Sequence, residues 1–113
     1  MNHLTWSKTE KAVAKIAFET AYRKECEATI GKLKKRVASA KEPADLWRLQ
    51  DFLKKELVEI EQKYDYRYSV LIFVFAALVK EGWLKESDLK GLSADKLEKI
   101  NYLANPVRFQ ERL

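Results

Sequence analysis

Residues 70–82 read Val70-Leu71-Ile72-Phe73-Val74-Phe75-Ala76-Ala77-Leu78-Val79-Lys80-Glu81-Gly82. Whether they form a strand or a helix decides the fold. The ten positions from Val70 to Val79 carry no charge and are rich in Val, Ile and Phe, so a central strand is a rival on composition. Helical context on both sides favours a helix from about Tyr68 to Glu81, and Gly82 stands where a helix hands over to a left-handed residue. A run of this length falls short of the roughly 20 residues that span a bilayer, which excludes a transmembrane helix. A helix apolar on all sides must be buried on all sides. That is difficult within one chain of 113 residues, and it implies a second subunit.

Upstream, the pattern points the same way. Ser7 and Glu10 fit a capping box, and no Pro occurs from Ser7 to Lys41. A stripe of Phe18, Tyr22, Cys26, Thr29, Leu33, Val37 and Ala40 recurs at steps of three and four, preceded by Val13, Ile16 and Ala17. A helix from about Lys8 to Ala40 would be roughly 50 Å long, whereas a compact domain of this length has a radius of gyration of about 13 Å. Either the helix breaks at Gly31 or it protrudes and packs on another chain; the sustained stripe favours a partner helix and a homodimer. Pro43 and Asp45 suit the first turn of a second helix reaching about Tyr64. Its stripe is Leu46, Leu49, Phe52, Leu53, Leu57, Ile60 and Tyr64, and Trp47 and Asp51 share another face. Downstream, Glu86 to Lys90 reads as a short helical turn. Ser93 caps a helix from Ala94 to Leu103, with Leu97, Ile100 and Leu103 facing inward and Asn105-Pro106 ending it. The expected architecture is therefore all-α, a long N-terminal helix plus three or more shorter ones in a single domain over 1–113. Residues 1–6 and 106–113 are expected to be loose tails.

Composition narrows the chemistry. There is one Cys, Cys26, so an internal disulfide has no material; the one His, His3, falls in the expected N-terminal tail, which argues against a His/Cys metal site and a Ser-His-Asp triad. Cys26 reads as a structural thiol within an apolar stripe. Gly31, Gly82 and Gly91 are too scattered for a phosphate loop, and no cofactor is implied. Pairs such as Glu56/Lys63 and Glu81/Lys85 read as ordinary surface pairs. Met1 to Lys8 lacks the basic start and apolar stretch of a signal peptide, so a cytoplasmic location is expected. The net charge of +5 lies wholly in residues 1–42, with ten Lys/Arg against five acids. That segment is either a surface for an anionic partner or a solvated helix face. The Lys32, Lys34, Lys35, Arg36 cluster lacks any helix-turn-helix or RNP-like context, so nucleic acid is not expected. Trp47, beside Arg48 and Asp51, either packs on the first helix or belongs to an interface.

At Asp45-Leu46-Trp47-Arg48-Leu49 and Asp51-Phe52-Leu53 the chain resembles the fluorescence recovery protein family of cyanobacteria. The likeness extends through Trp6-Ser7, Ala21-Tyr22-Arg23-Lys24-Glu25, Glu59-Ile60 and Lys63-Tyr64-Asp65. It continues through Arg67, Ser69-Val70, Ile72-Phe73-Val74-Phe75-Ala76, Glu81-Gly82, Ala94-Asp95-Lys96 and Lys99-Ile100, colinear and without gaps to about Leu103. The resemblance implies an all-helical homodimer built on antiparallel helices. Such a dimer binds the light-activated orange carotenoid protein, chiefly its C-terminal domain, speeds its return to the resting form and so ends phycobilisome quenching. No bond is made or broken, so the implied role is not enzymatic.

Position by position, Trp47 and Asp51 match the family's functional Trp and Asp, with Arg48 expected in the same exposed patch. Phe73 and Lys99 match a second partner-contact region. Leu46 and Leu49 match dimer positions, and Leu33, Val37 and Leu53 complete the expected seam. Gln50 stands where the family carries a functional His, and Leu57 where it carries a key Arg. Lys54 supplies a charge one turn before Leu57 but not the guanidinium's fork of donors. These departures fit a divergent member, of the kind non-photosynthetic bacteria carry. A second reading follows from them, a family-like helical adaptor with a different partner.

Overall fold

The computed structural model describes residues 5–106. Its elements are α1 (Lys8–Ser39), α2 (Pro43–Lys63), α3 (Leu71–Glu81), a 3-10 turn (Glu86–Leu89) and α4 (Ala94–Ala104). The all-α expectation holds, and α1 protrudes rather than breaks. Ser7 Oγ accepts from the Glu10 N–H at 3.1 Å, and Glu10 Oε1 accepts from the Ser7 N–H at 3.0 Å. Gly31 continues the helix with nothing within 4 Å of where a Cβ would stand. The molecule measures 54 × 34 × 26 Å with a radius of gyration of 17.4 Å, well beyond the compact value.

It has two parts. The head packs α3, the 3-10 turn and α4 on the first half of α1, around Leu71, Phe75, Leu78, Leu89 and Ile100. The stalk is the second half of α1 with α2 returning antiparallel beside it. The buried line of α1 is Glu10, Ala14, Ala17, Ala21 and Glu25; of the expected stripe only Ala17 lies on it, while Val13 and Phe18 pack half-buried against the core. Three alanines in register let the head approach the helix closely. Ile16, expected inward, is exposed on the opposite side. Phe18 and Tyr22 instead join an edge-to-face aromatic chain with Tyr64 and Tyr66 at centroid distances of 4.8–5.4 Å.

That chain also shortens α3. Tyr66 and Tyr68 lie toward α1, residues 68–70 form a turn, and the helix begins at Leu71 rather than Tyr68. It ends as expected: Gly82 has φ +88°, and the Trp83 and Leu84 N–H groups both donate to the Leu78 carbonyl. The expectation of burial on all sides fails at Phe73, which is 63% exposed. Leu103, expected inward on α4, is also exposed. Gly91 has φ +113°, and a Cβ there would lie 2.8 Å from Val13 on α1, so the turn before α4 sits directly against the long helix.

Two ionic clusters join these parts, and neither is a surface pair. Glu10 is buried, and its carboxylate accepts from the Ser93 N–H at 2.8 Å and from Lys96 Nζ at 3.1 Å. It thus caps α1 and anchors the start of α4. Lys96 Nζ also donates to the Thr5 carbonyl at 2.6 Å and lies 4.9 Å from the Trp6 ring. Trp6 is only 7% exposed, so the expected loose tail does not include it; residues 1–4, with His3, and 107–113 lie outside the described range. The second cluster centres on Lys63. Its Nζ reaches Glu25 at 2.5 Å and Glu81 at 2.6 Å, Tyr64 Oη donates to Glu25 at 2.8 Å, and Trp83 Nε1 to Glu81 at 3.1 Å. Burial opposes the Lys63 charge, but its hydrogen bonds to the two carboxylates raise its pKa overall. The surface pairs expected at Glu56/Lys63 and Glu81/Lys85 are replaced: Lys63 takes Glu25 and Glu81, and Glu56 takes Lys32 at 3.3 Å.

The backbone N–H of Ser7, with further hydrogen bonds from Ser93 and Lys96, holds the Glu10 carboxyl down from 4.5 to about 2. A carboxylate depressed on folding adds stability above its unfolded pKa and loses it as pH falls through the folded value. The midpoint of denaturation should therefore drop as pH falls from about 4.5 to about 2. Glu10→Gln should lower stability at neutral pH by about 2 kcal/mol and flatten that acid limb. An unchanged acid limb in the variant would remove Glu10 from the account.

Candidate protein-interaction site

α2 divides into three faces. Asp45, Leu49, Phe52, Glu56, Ile60 and Lys63 are buried or half-buried and face α1. Phe52 carries the Arg36 guanidinium 4.3 Å above its ring, and Glu56 pairs with Lys32. Leu46, Gln50, Leu53 and Leu57 form a second line, each residue exposed. Trp47, Asp51, Lys54 and Val58 form a third, also exposed, with Trp47 at 61%. Trp47 therefore does not pack on α1 within the chain, which removes that reading. A shallow groove of about 650 Å³ runs along this third face between Asp51, Lys54, Lys55, Val58 and Glu59.

The start of α2 is fixed by Asp45. Its carboxylate accepts from the Lys41 and Glu42 N–H groups at 2.9 and 3.0 Å and pairs with Arg48 at 3.1 Å. Those two backbone hydrogen bonds, more than Arg48, lower the Asp45 pKa. Arg48 is thereby drawn to the helix start and pairs with neither Trp47 nor Asp51; Lys54 and Lys55 are the cations along their groove. The two expected partner-contact groups are also apart. Trp47 lies about 20 Å along α2 from Ile60, where that helix meets the head, whereas Phe73 on α3 and Lys99 on α4 are exposed on the head.

The expected seam is split as well. Leu46, Leu53 and Val37 are exposed, while Leu33 and Leu49 are half-buried between α1 and α2. Two residues escaped the sequence reading: Ile30 and Val58 are exposed apolar side chains on the stalk, as is Leu57, which the α2 stripe had included. The signal was present in the spacing, since Ile30 stands one heptad before Val37, and Val58 continues Trp47, Asp51 and Lys54. Among the described residues no group of His, Cys, Asp and Glu is arranged to hold a metal ion, and no helix is long and apolar enough to cross a membrane.

An elongated all-helical chain with exposed apolar and charged faces on a stalk is a helical protein with surfaces of the kind that meet other proteins. The chain belongs to the fluorescence recovery protein family: the family profile, described as photoprotection regulator fluorescence recovery protein, matches residues 6–104. The fluorescence recovery protein of Synechocystis sp. is 41% identical over 99 residues, which cover 88% of this chain and 91% of that one. The solved structure of the Fremyella diplosiphon fluorescence recovery protein is similar at a TM-score of 0.84 and 48% identity, over 89% of this chain and 99% of that one. The Synechocystis structure gives a TM-score of 0.84 at 40% identity, over the same shares.

Burial separates the α2 faces energetically. Trp47→Ala should change the unfolding free energy by less than about 0.5 kcal/mol. Ile60→Ala should cost about 2–4 kcal/mol. Chemical denaturation of dilute protein reads both, and a Trp47 variant as damaging as the Ile60 variant would mean that the indole is covered.

Proposed function

We propose that the chain is a homodimeric regulator that binds the photoactivated orange carotenoid protein, chiefly its C-terminal domain. By holding the separated domains close together it speeds their return to the resting form and ends phycobilisome quenching. The work would be done at the cytoplasmic face of the thylakoid. The observation that carries the reading is the exposed Trp47–Asp51–Lys54 face, a large amphipathic side chain beside charges of both signs. An exposed indole of this kind is a common anchor of protein interfaces. The dimer reading rests on the adjacent line. Leu46, Leu53 and Leu57 on α2 and Ile30 and Val37 on α1 leave a two-helix stalk with apolar surface uncovered, and a second stalk packed antiparallel would cover it. Phe73 and Lys99 on the head are read as a second contact with the same partner.

Leu57 supports a second reading. It is more than half exposed, at the position where the resemblance places the family's key Arg, and Gln50 lies on the same line. A family-like dimer whose seam is more apolar could serve a different protein partner.

Two measurements separate these readings. Leu46→Glu and Leu53→Glu should each give monomers by multi-angle light scattering; dimers in both variants would displace the proposed seam. In the presence of the chain, the dark decay of photoactivated orange carotenoid protein from red to orange should quicken severalfold, and Trp47→Ala should abolish most of the gain. An unchanged decay constant at excess protein would leave the second reading.

A further inference from the structure

Four carboxylates lie on α1, and two of them, Glu10 and Glu25, are buried against Lys96 and Lys63 from other elements. The exposed charges of the helix are therefore nine Lys and Arg residues, of which Lys32 and Arg36 reach α2, against only Glu19 and Glu27. Folding thus strips acidic charge from the surface of the segment that already holds the whole net charge. At the head end this cationic surface borders a groove. Lys11, Lys15 and Glu19 line one side, Tyr66 and Tyr68 the other, and Phe18 stands between them, around a shallow volume of about 550 Å³.

The aromatic wall is built. Phe18 meets Tyr66 edge-on at 4.8 Å, Tyr66 meets Tyr68 at 5.7 Å, and Lys11 Nζ lies 5.2 Å from the centre of the Tyr68 ring. Burial, with a hydrogen bond to Tyr68, pushes the Tyr66 hydroxyl up to about 12, so it remains a neutral group at physiological pH. Ammonium groups beside a partly apolar slot suit a carboxylate and an apolar side chain presented together.

We infer that the Lys11–Lys15–Tyr66–Tyr68 groove docks an acidic protein segment, with its carboxylates on Lys11 and Lys15 and an apolar side chain against Phe18 and the tyrosines. Charge complementarity selects the occupant. Nucleic acid fits less well, because Glu19 interrupts the row of cations where a phosphate backbone would continue. An anionic membrane fits less well too, because the exposed face of α1 beside the groove offers Ile16 but no apolar stripe to insert. The surface is separate from the Trp47 face on the stalk.

The probe is a fluorescein-labelled Glu-rich peptide carrying one Phe, titrated with the full chain and followed by anisotropy. Saturable binding is expected, weakening about tenfold between low and moderately high salt. It should fall at least tenfold in Lys11→Glu/Lys15→Glu and stay within twofold in Lys34→Glu/Lys35→Glu, which changes charge equally at the far end of α1. Circular dichroism checks that each variant is folded, and Lys11→Gln/Lys15→Gln replaces the first pair if it is not. No binding of the peptide would overturn the inference. So would an equal loss in both charge-reversed pairs, or tighter capture of duplex DNA or phosphatidylglycerol vesicles than of the peptide.

Discussion

A helix of 32 residues outruns the core that three short segments can build, and the rest of the structure is a response to that mismatch. The first half of α1 is covered by the head. The second half has only α2 beside it, and a pair of helices covers one face of each and no more. The apolar side chains on the remaining faces are therefore a geometric result of helix length. The exposed lines along α2 arise in the same way. Its contact face is taken by Leu49, Phe52 and Ile60, and everything one step round the helix is left outside.

Polar contacts then fix how the two parts meet. Lys63 ties the end of α2 to the middle of α1 and the end of α3 through Glu25 and Glu81, so the stalk has a defined exit from the head. Glu10 does the same for the starts of α1 and α4. In both clusters a carboxylate of the long helix is buried with a lysine from elsewhere in the chain. A buried ion pair of this kind adds little net stability over apolar packing but penalises any arrangement that separates the partners.

Much of this was legible in the sequence, and what was not has identifiable causes. The helix ends announce themselves through local chemistry: Ser7 with Glu10, Pro43 with Asp45, Gly82 and Ser93. The choice of a helix over a strand for residues 70–82 followed from Gly82 and its flanks. The buried face of α1 followed only at Ala17, because a stripe weighted by side-chain size points to Phe18 and Tyr22, while the contact also needs the small Ala14 and Ala21. The burial of Glu10 and Glu25 was invisible because their lysines stand 86 and 38 residues away. On the stalk, the pairing of Trp47 with Asp51 was readable from a spacing of four. Its exposure, and the diversion of Arg48 to Asp45, depended on which face of α2 meets α1.

The three tryptophans occupy three different surroundings. Trp6 lies at the junction of α1 and α4 under an ammonium group, Trp83 is half-buried beside the Lys63 cluster, and Trp47 stands in water on the stalk. Each indole thus reports on a different part of the molecule. The emission of Trp47 is open to a dissolved quencher while that of Trp6 is shielded, so the chain carries intrinsic optical labels that distinguish an event on the stalk from a loosening of the head.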